Sequence, residues 1–186
     1  MSSKKGKLIL YTGASGVGKG TIMKELLKKD PGLRLSVSAT TREPRPGEVD
    51  GREYFFVTKD KFKKMIEDGG FLEYAEYCGN FYGTPQKAVE DMLSQGLNVI
   101  LEIEVQGGVQ VMKKCPDCTS IFIMPPSMET LESRLRGRNT EPEDVIAERL
   151  ETAKNEVTYA KMYQHTVVND DLDKAVEEVL DIIHSK

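Results

Sequence analysis

Lys7-Leu-Ile-Leu-Tyr-Thr-Gly13-Ala-Ser-Gly-Val-Gly18-Lys19-Gly20-Thr21 is the stretch whose reading decides the fold. Its first half, Lys7 to Thr12, is short, apolar and partly β-branched, and it ends in glycines, as a buried strand does. From Thr21 to Lys29 the apolar residues Ile22, Met23, Leu26 and Leu27 fall at helical spacing, and Asp30-Pro31-Gly32 stops the helix. Between strand and helix, Gly13, Ala14, Ser15, Gly16, Val17, Gly18 and Lys19 carry the pattern G-x-x-x-x-G-K in the setting it requires. Glycines let main-chain N–H groups curl around phosphate oxygens, the helix start adds partial positive charge, and Lys19 can reach the outer phosphates. The turn from Gly13 to Thr21 therefore predicts a nucleoside triphosphate site. A glycine turn that merely joins strand to helix would have no need of Lys19.

Outward from this turn the same rhythm returns. Strands are expected at 98–104, 119–124 and 165–168, and helices at 108–114, 128–136, 145–162 and 172–183. Strands alternating with helices imply a parallel sheet covered on both faces. The segment 33–86 breaks the rhythm with short candidate strands at 54–57, 71–77 and 80–82 separated by turns and one helix. The expected fold is α/β, a three-layer P-loop fold around a central parallel sheet. A core of 1–32 and 87–186 would carry an inserted mixed α/β lobe at about 33–86 and a short lid at about 137–144. Ligands of open α/β sheets sit beyond the carboxyl ends of the strands, so the lobe can face the glycine turn across a cleft.

Length, charge and cysteine usage narrow the class. One good core suits 186 residues, and no linker, repeat or low-complexity block divides them. A net charge of −4 argues against a nucleic-acid partner, whose backbone needs a basic surface. The longest apolar run, 97–105, is interrupted by Glu102 and Glu104 and is too short to span a membrane. Residues 1–6 carry charge but no apolar h-region, so no signal peptide is expected and the address expected is cytoplasmic. Cys115-Pro-Asp-Cys118 has the spacing of a redox or zinc half-site, but only Cys78, His165 and His184 could complete it. Two thiols in a helix-to-strand loop is the simpler reading.

A second anion site is readable at 36–48. Arg42 and Arg45 stand three apart in a stretch stiffened by Pro44 and Pro46. Guanidinium forks suit phosphate oxygens, and proline limits the entropy lost on binding. Taken alone, two arginines on a loop fit solvated surface charges as well. Arg134 and Arg138, four apart, share a helix face, with Arg149 on the next expected helix. Phosphoryl transfer proceeds mostly by positioning and cationic stabilisation, so arginines closing over a γ-phosphate are expected.

Together, Ser38-Ala-Thr-Thr-Arg42-x-Pro-Arg45-Pro-Gly-Glu-x-x-Gly51-x-x-Tyr54, Phe71-Leu-Glu73, Gly79-Asn-Phe-Tyr82-Gly-Thr84, Ile103-Glu-Val-Gln106-Gly107, Arg134-Leu-Arg-Gly-Arg138 and Val168-Asn169 resemble the guanylate kinases over almost the whole chain. The resemblance implies ATP and GMP as substrates, with magnesium accompanying ATP. Arg42, Arg45, Tyr54 and Tyr82 would grip the GMP phosphate, and Ser38, Glu73 and Thr84 would meet guanine. Glu104 would help hold the acceptor nucleotide, and Glu102 would lie near the phosphates and metal. Arg134, Arg138 and Arg149 would be lid residues acting with Lys19, and Asn169 would lie near adenine, although a helix N-cap at Asn169 or Asp170 competes. Guanine offers two adjacent donors, N1–H and the 2-amino group, that one carboxylate accepts together, whereas adenine presents an acceptor there.

Three positions depart from the family pattern. Gly20 stands where Ser or Thr usually holds magnesium, so Thr21, water or carboxylates elsewhere are left to do so. Glu102 and Glu104 replace aspartates and reach one methylene further, and Ala39 replaces a residue that is commonly polar. Two other readings compete with the kinase. Guanylate-kinase-like domains also serve as peptide-binding scaffolds, which tend to have lost the loop lysine and lid arginines kept here. An adenylate-type kinase would share Gly-Lys-Gly-Thr but not the Arg42 block with Glu73.

Overall fold

Apolar alternation along the first strand places the core. In the computed structural model, which describes residues 5–137 and 142–185, β1 (Leu8–Gly13) turns Ile9 and Tyr11 to one face and Leu10 to the other, all fully buried. It pairs in parallel with β7 (Asn98–Glu102) and β8 (Thr119–Met124), while β2 (Leu33–Leu35) and β9 (His165–Val168) form the outer strands. The order is β2-β7-β1-β8-β9. On the Ile9 face lie α1 (Lys19–Lys29), α5 (Met128–Gly137), α6 (Glu143–Val157) and α7 (Leu172–His184); on the Leu10 face lie α3 (Gln86–Ser94) and α4 (Val105–Lys114). This is the three-layer sandwich that alternating strands and helices require, because a parallel sheet must be covered on both sides.

Helix ends follow local chemistry. α7 buries Ala175, Val176, Val179 and Ile183 along one stripe, and the Asp171 carboxylate caps it by accepting the Lys174 N–H at 3.0 Å. The cap is therefore Asp171, not Asn169 or Asp170 as one reading allowed. The long helix expected at 145–162 is α6 followed by a separate 3₁₀ turn at Ala160–Met162. α4 begins at Val105, three residues earlier than apolar spacing indicated, and shortens β7 accordingly.

A second, four-stranded sheet is built from β3 (Ala39–Thr40), β4 (Phe55–Phe56), β5 (Phe71–Tyr77) and β6 (Asn80–Pro85), in the order β4-β3-β6-β5. β5 and β6 form a hairpin whose turn, Cys78 (φ 49°) and Gly79 (φ 74°), takes positive φ at both positions, matching the strands' twist. Residues 33–35, read as the start of this inserted part and not as a strand, form β2, which belongs to the central sheet through its pairing with β7. Helix α2 (Lys59–Glu67), capped by Thr58, closes the sheet with Phe62, which stacks on Phe71 at 4.3 Å and Phe81 at 5.4 Å between centroids. From the central layer, the Gln110 amide on α4 pairs with both the N–H (3.2 Å) and the carbonyl (3.1 Å) of Tyr74 on β5. Lys114 donates to the Phe71 carbonyl at 2.7 Å.

Only Ala39, Phe62 and Phe71 are fully enclosed in this smaller core, so it has little reserve. Phe62→Ala is expected to cost about 3–5 kcal/mol by removing a buried aromatic ring. Urea unfolding followed by circular dichroism checks it; an unchanged midpoint would contradict this account of the second sheet.

Candidate active site

The glycine turn lies at the carboxyl end of β1 and opens α1 through Gly18, whose φ of 96° is left-handed. A side chain at Gly18 would also meet the Asn169 amide at 2.8 Å. Asn169 itself is buried and donates from Nδ2 to the Val17 carbonyl at 2.7 Å, so the β9–α7 connection clasps the turn from outside. The buried Tyr11 hydroxyl donates to the Lys19 carbonyl at 3.1 Å from beneath. Within the turn, the N–H groups of Gly16, Gly18, Lys19 and Gly20 find no protein acceptor among the described residues. Main-chain donors that converge and stay unpaired at a helix start make an anion cradle.

Lys19 folds over its own turn, its Nζ donating to the carbonyls of Gly13 at 2.6 Å and Ala14 at 3.1 Å. Burial lowers its pKa; Glu156, Glu102 and Glu104 pull it back up, and Arg149 adds to the lowering. Those partners bring Lys19, Glu102, Glu104 and Arg149 into one electrostatic neighbourhood. Burial raises the pKa of Glu102, against the opposing charge of Lys19. Glu104 is exposed at the N-cap position of α4 without a capping hydrogen bond, and Thr21 is exposed on the first turn of α1.

Across from the cradle, Glu73 on β5 is only 7% exposed, although it is a carboxylate. Its Oε1 accepts the hydroxyl of the wholly buried Thr84 on β6 at 2.6 Å. Burial raises the Glu73 pKa, and the Thr84 hydroxyl and N–H work the other way by favouring the charged form. The other oxygen faces Gly107 on α4, where an added Cβ would sit 2.8 Å from it. Gly107 thus leaves room for the carboxylate, a role that its place in a motif did not disclose.

The arginine block is also assembled. The Arg42 guanidinium lies 5.5 Å from the Tyr54 ring centroid and 5.8 Å from that of Phe56, and it donates to Glu48 at 2.9 Å. The rings of Tyr54 and Tyr82 meet edge to face at 6.0 Å. Glu48 in turn accepts the Arg45 N–H at 2.7 Å, so one carboxylate sets the shape of the loop, while the Arg45 side chain stays exposed. A cleft of about 580 Å³ is lined by Lys19, Glu102 and Glu104 on one side and Ser38, Tyr54, Glu73 and Tyr82 on the other.

Arg134 sits differently from the lid expectation. Arg134 donates to the carbonyls of Asn169 at 2.6 Å and Asp170 at 3.2 Å, which fastens α5 to the connection that clasps the cradle. Arg138 lies outside the described residues, as does the rest of 138–141 in the segment read as a lid. The cysteines are free, with Cys115 capping α4 and Cys118 buried just before β8. Sequence reasoning missed Glu156 altogether. From the last turn of α6, its Oε2 accepts the Ser15 N–H of the cradle at 2.6 Å.

A lysine-bearing anion turn at the strand ends, faced by a second sheet that carries a buried carboxylate, places the chain among the P-loop phosphotransferases. The family model described as guanylate kinase matches residues 5–186. Guanylate kinases from Clostridioides difficile (strain 630) and Desulfitobacterium hafniense (strain Y51) are 50% and 49% identical to it. The matches cover 100% and 98% of this chain and 91% and 92% of those proteins. The crystal structure of guanylate kinase from Anaplasma phagocytophilum superposes with a TM-score of 0.73 at 32% identity, covering 97% of this chain and 85% of that one. The chain belongs to the guanylate kinase family.

Thr84→Val removes the hydroxyl that favours ionised Glu73, so the Glu73 pKa should rise further above the usual carboxylate range. A carboxyl-carbon NMR titration of both proteins reads this directly, and an unmoved or lowered value would contradict the role given to Thr84.

Proposed function

We infer that this chain transfers the γ-phosphoryl group of ATP to GMP, giving ADP and GDP. The observation that carries the reading is the single cleft in which Lys19 and the buried Glu73 stand on opposite walls. A phosphate-binding turn alone would suit any P-loop enzyme, and Glu73 supplies the choice of base. An ionised Glu73 accepts guanine N1–H and the 2-amino group together, while Ser38 lies beside it in the same cleft. Adenine would set its N1 lone pair against that carboxylate and leave it unpaired in a buried site, which costs far more than a lost surface contact. The same pocket gives no reason to reject dGMP, since the residues placed here face base and phosphate.

Arg42, Arg45, Tyr54 and Tyr82 would hold the GMP phosphate, with Arg42 exchanging its bond to Glu48 for phosphate oxygens. The cradle amides and Lys19 would hold the donor. An oxygen of the GMP phosphate then attacks the γ-phosphorus in line, the bond from that phosphorus to the β–γ bridging oxygen breaks, and ADP leaves with the electron pair. Lys19, Arg149, Arg138 and Arg134 would supply positive charge as it builds on the transferring oxygens. Arg134 would first have to leave the Asn169 and Asp170 carbonyls, or else act through them by holding the cradle. The inserted part from Ser36 to Pro85 would close toward the core and exclude water, with Gln110 and Lys114 as its attachment.

Magnesium fits this donor set only as a companion of the nucleotide. Among the described residues there is no group of three or more His, Cys, Asp or Glu side chains able to hold a metal ion. Thr21 and Glu102 offer oxygen ligands, and phosphates and water would complete the coordination, as hard, reluctantly dehydrated Mg²⁺ prefers. Bound there, it would neutralise phosphate charge. Among the described residues no helix is long and apolar enough to cross a membrane, and a small-molecule kinase working in the cytoplasm is the setting proposed.

The expected outcome with ATP and GMP, AMP, UMP or CMP offered in turn is ADP production roughly 10⁴-fold faster with GMP, the order of discrimination that a buried hydrogen-bonding site provides. Coupled spectrophotometric assay measures it. Preference for AMP or UMP would contradict the guanine assignment.

A further inference from the structure

Glu156 places a carboxyl group against the anion cradle. Its carboxylate crosses from α6 to accept the Ser15 N–H, 141 positions away in sequence, at 2.6 Å. It is half-buried there, and its charge is among the influences that raise the Lys19 pKa. Burial raises its pKa, with Glu104 adding to the rise, while the hydrogen bond from Ser15 and the charge of Lys19 work the other way. Ser15 belongs to the turn whose Gly16, Gly18, Lys19 and Gly20 amides find no acceptor among the described residues, so the protein satisfies one donor of this turn with its own carboxylate.

Phosphate oxygens and this carboxylate want the same donor, and two negative charges held close in a partly enclosed site repel each other. Arg149 lies seven residues earlier on α6, two helical turns back, and so on the same face as Glu156. The helix begins at Glu143, directly after the segment that follows Arg136 and Gly137, and ends at the cradle. Release of Glu156 from the cradle would free the end of the helix that carries Arg149.

We propose that Glu156 is an internal competitor of the donor nucleotide: its carboxylate occupies the Ser15 corner of the cradle, is displaced when a polyphosphate enters, and returns to hasten the exit of ADP. This rests on the cradle being the donor site. The consequence is that the cradle binds polyphosphate more weakly than its amides and Lys19 would allow, and that α6 shifts as donor binds.

Calorimetric titration of the whole chain, with magnesium present, tests this using inorganic tripolyphosphate, ATP and adenosine as probes. Glu156→Gln keeps the shape of the side chain and removes its charge, and should tighten tripolyphosphate and ATP by about tenfold, as expected when a nearby like charge is removed. Adenosine affinity should not move. In turnover the KM for ATP should fall while that for GMP stays constant, with kcat lowered by slower ADP release; a merely structural Glu156 would change both KM values together. Unchanged or weaker tripolyphosphate binding overturns the proposal. A second measurement needs no variant: the Glu156 carboxyl-carbon NMR signal of the unaltered protein should shift on saturation with tripolyphosphate, and an unmoved signal overturns it equally. Tripolyphosphate has no base, so a chain that binds it as expected yet ignores GMP would contradict the substrate assignment and leave Glu156 in its role.

Discussion

Unpaired main-chain N–H groups at the start of α1 are the constraint on which the rest of the structure depends. A turn whose donors converge on one point is held open only if something prevents it from collapsing into ordinary helix or loop, because each unpaired buried group is costly. Three contacts from separate parts of the chain do so: the Asn169 amide on the Val17 carbonyl, the Tyr11 hydroxyl on the Lys19 carbonyl, and the Ala14 N–H on the Ile123 carbonyl at 3.2 Å. Each comes from the central sheet or its connections, so the sheet functions as a frame for the turn. The left-handed glycines and the helix start then direct positive potential outward.

The second sheet solves a different problem, that of keeping a carboxylate ionised where water is scarce. Burial alone would drive Glu73 toward its neutral form, which is useless for accepting two donors from guanine. Thr84 offsets part of that, and Gly107 leaves the second oxygen uncrowded. Selectivity follows from the same burial, since a wrong base costs most where no water can repair the mismatch. Glu48 and Glu156 extend the pattern: each binds a group that the proposed function assigns to phosphate, so carboxylates belonging to the protein would hold both proposed phosphate sites in shape. On that proposal, substrate binding would exchange one anion for another, which would set affinity below its ceiling and favour release.

What could be read from the sequence was whatever rests on local spacing. The strand–turn–helix around Lys19, the alternation that makes the parallel sheet, and the Phe71–Tyr77 strand all depend on neighbours within a few residues. The arginine block was legible for the same reason, since Arg42, Arg45 and Glu48 lie within one loop. What stayed hidden depends on contacts distant along the chain. Leu33–Leu35 looks like the start of the insertion until its pairing with Asn98–Ile100 is known. Asn169 and Asp170 are equally good caps on paper, yet the Asn169 amide turns to Val17 and the cap falls to Asp171. Glu156 sits in a polar helix face with nothing to distinguish it from its neighbours Glu148 and Glu151. Gly107 shows its purpose only once Glu73 is seen opposite.

The central claim is that Lys19 and the cradle deliver the donor phosphate to an acceptor held across the cleft by different residues. Turnover of Lys19→Ala, measured beside its GMP affinity, separates the two halves most directly. The account predicts a fall in kcat of roughly a hundredfold or more, in line with losing a charged group that stabilises the transition state, with GMP binding and the unfolding midpoint close to those of the unaltered protein. Full turnover in the folded variant would contradict it.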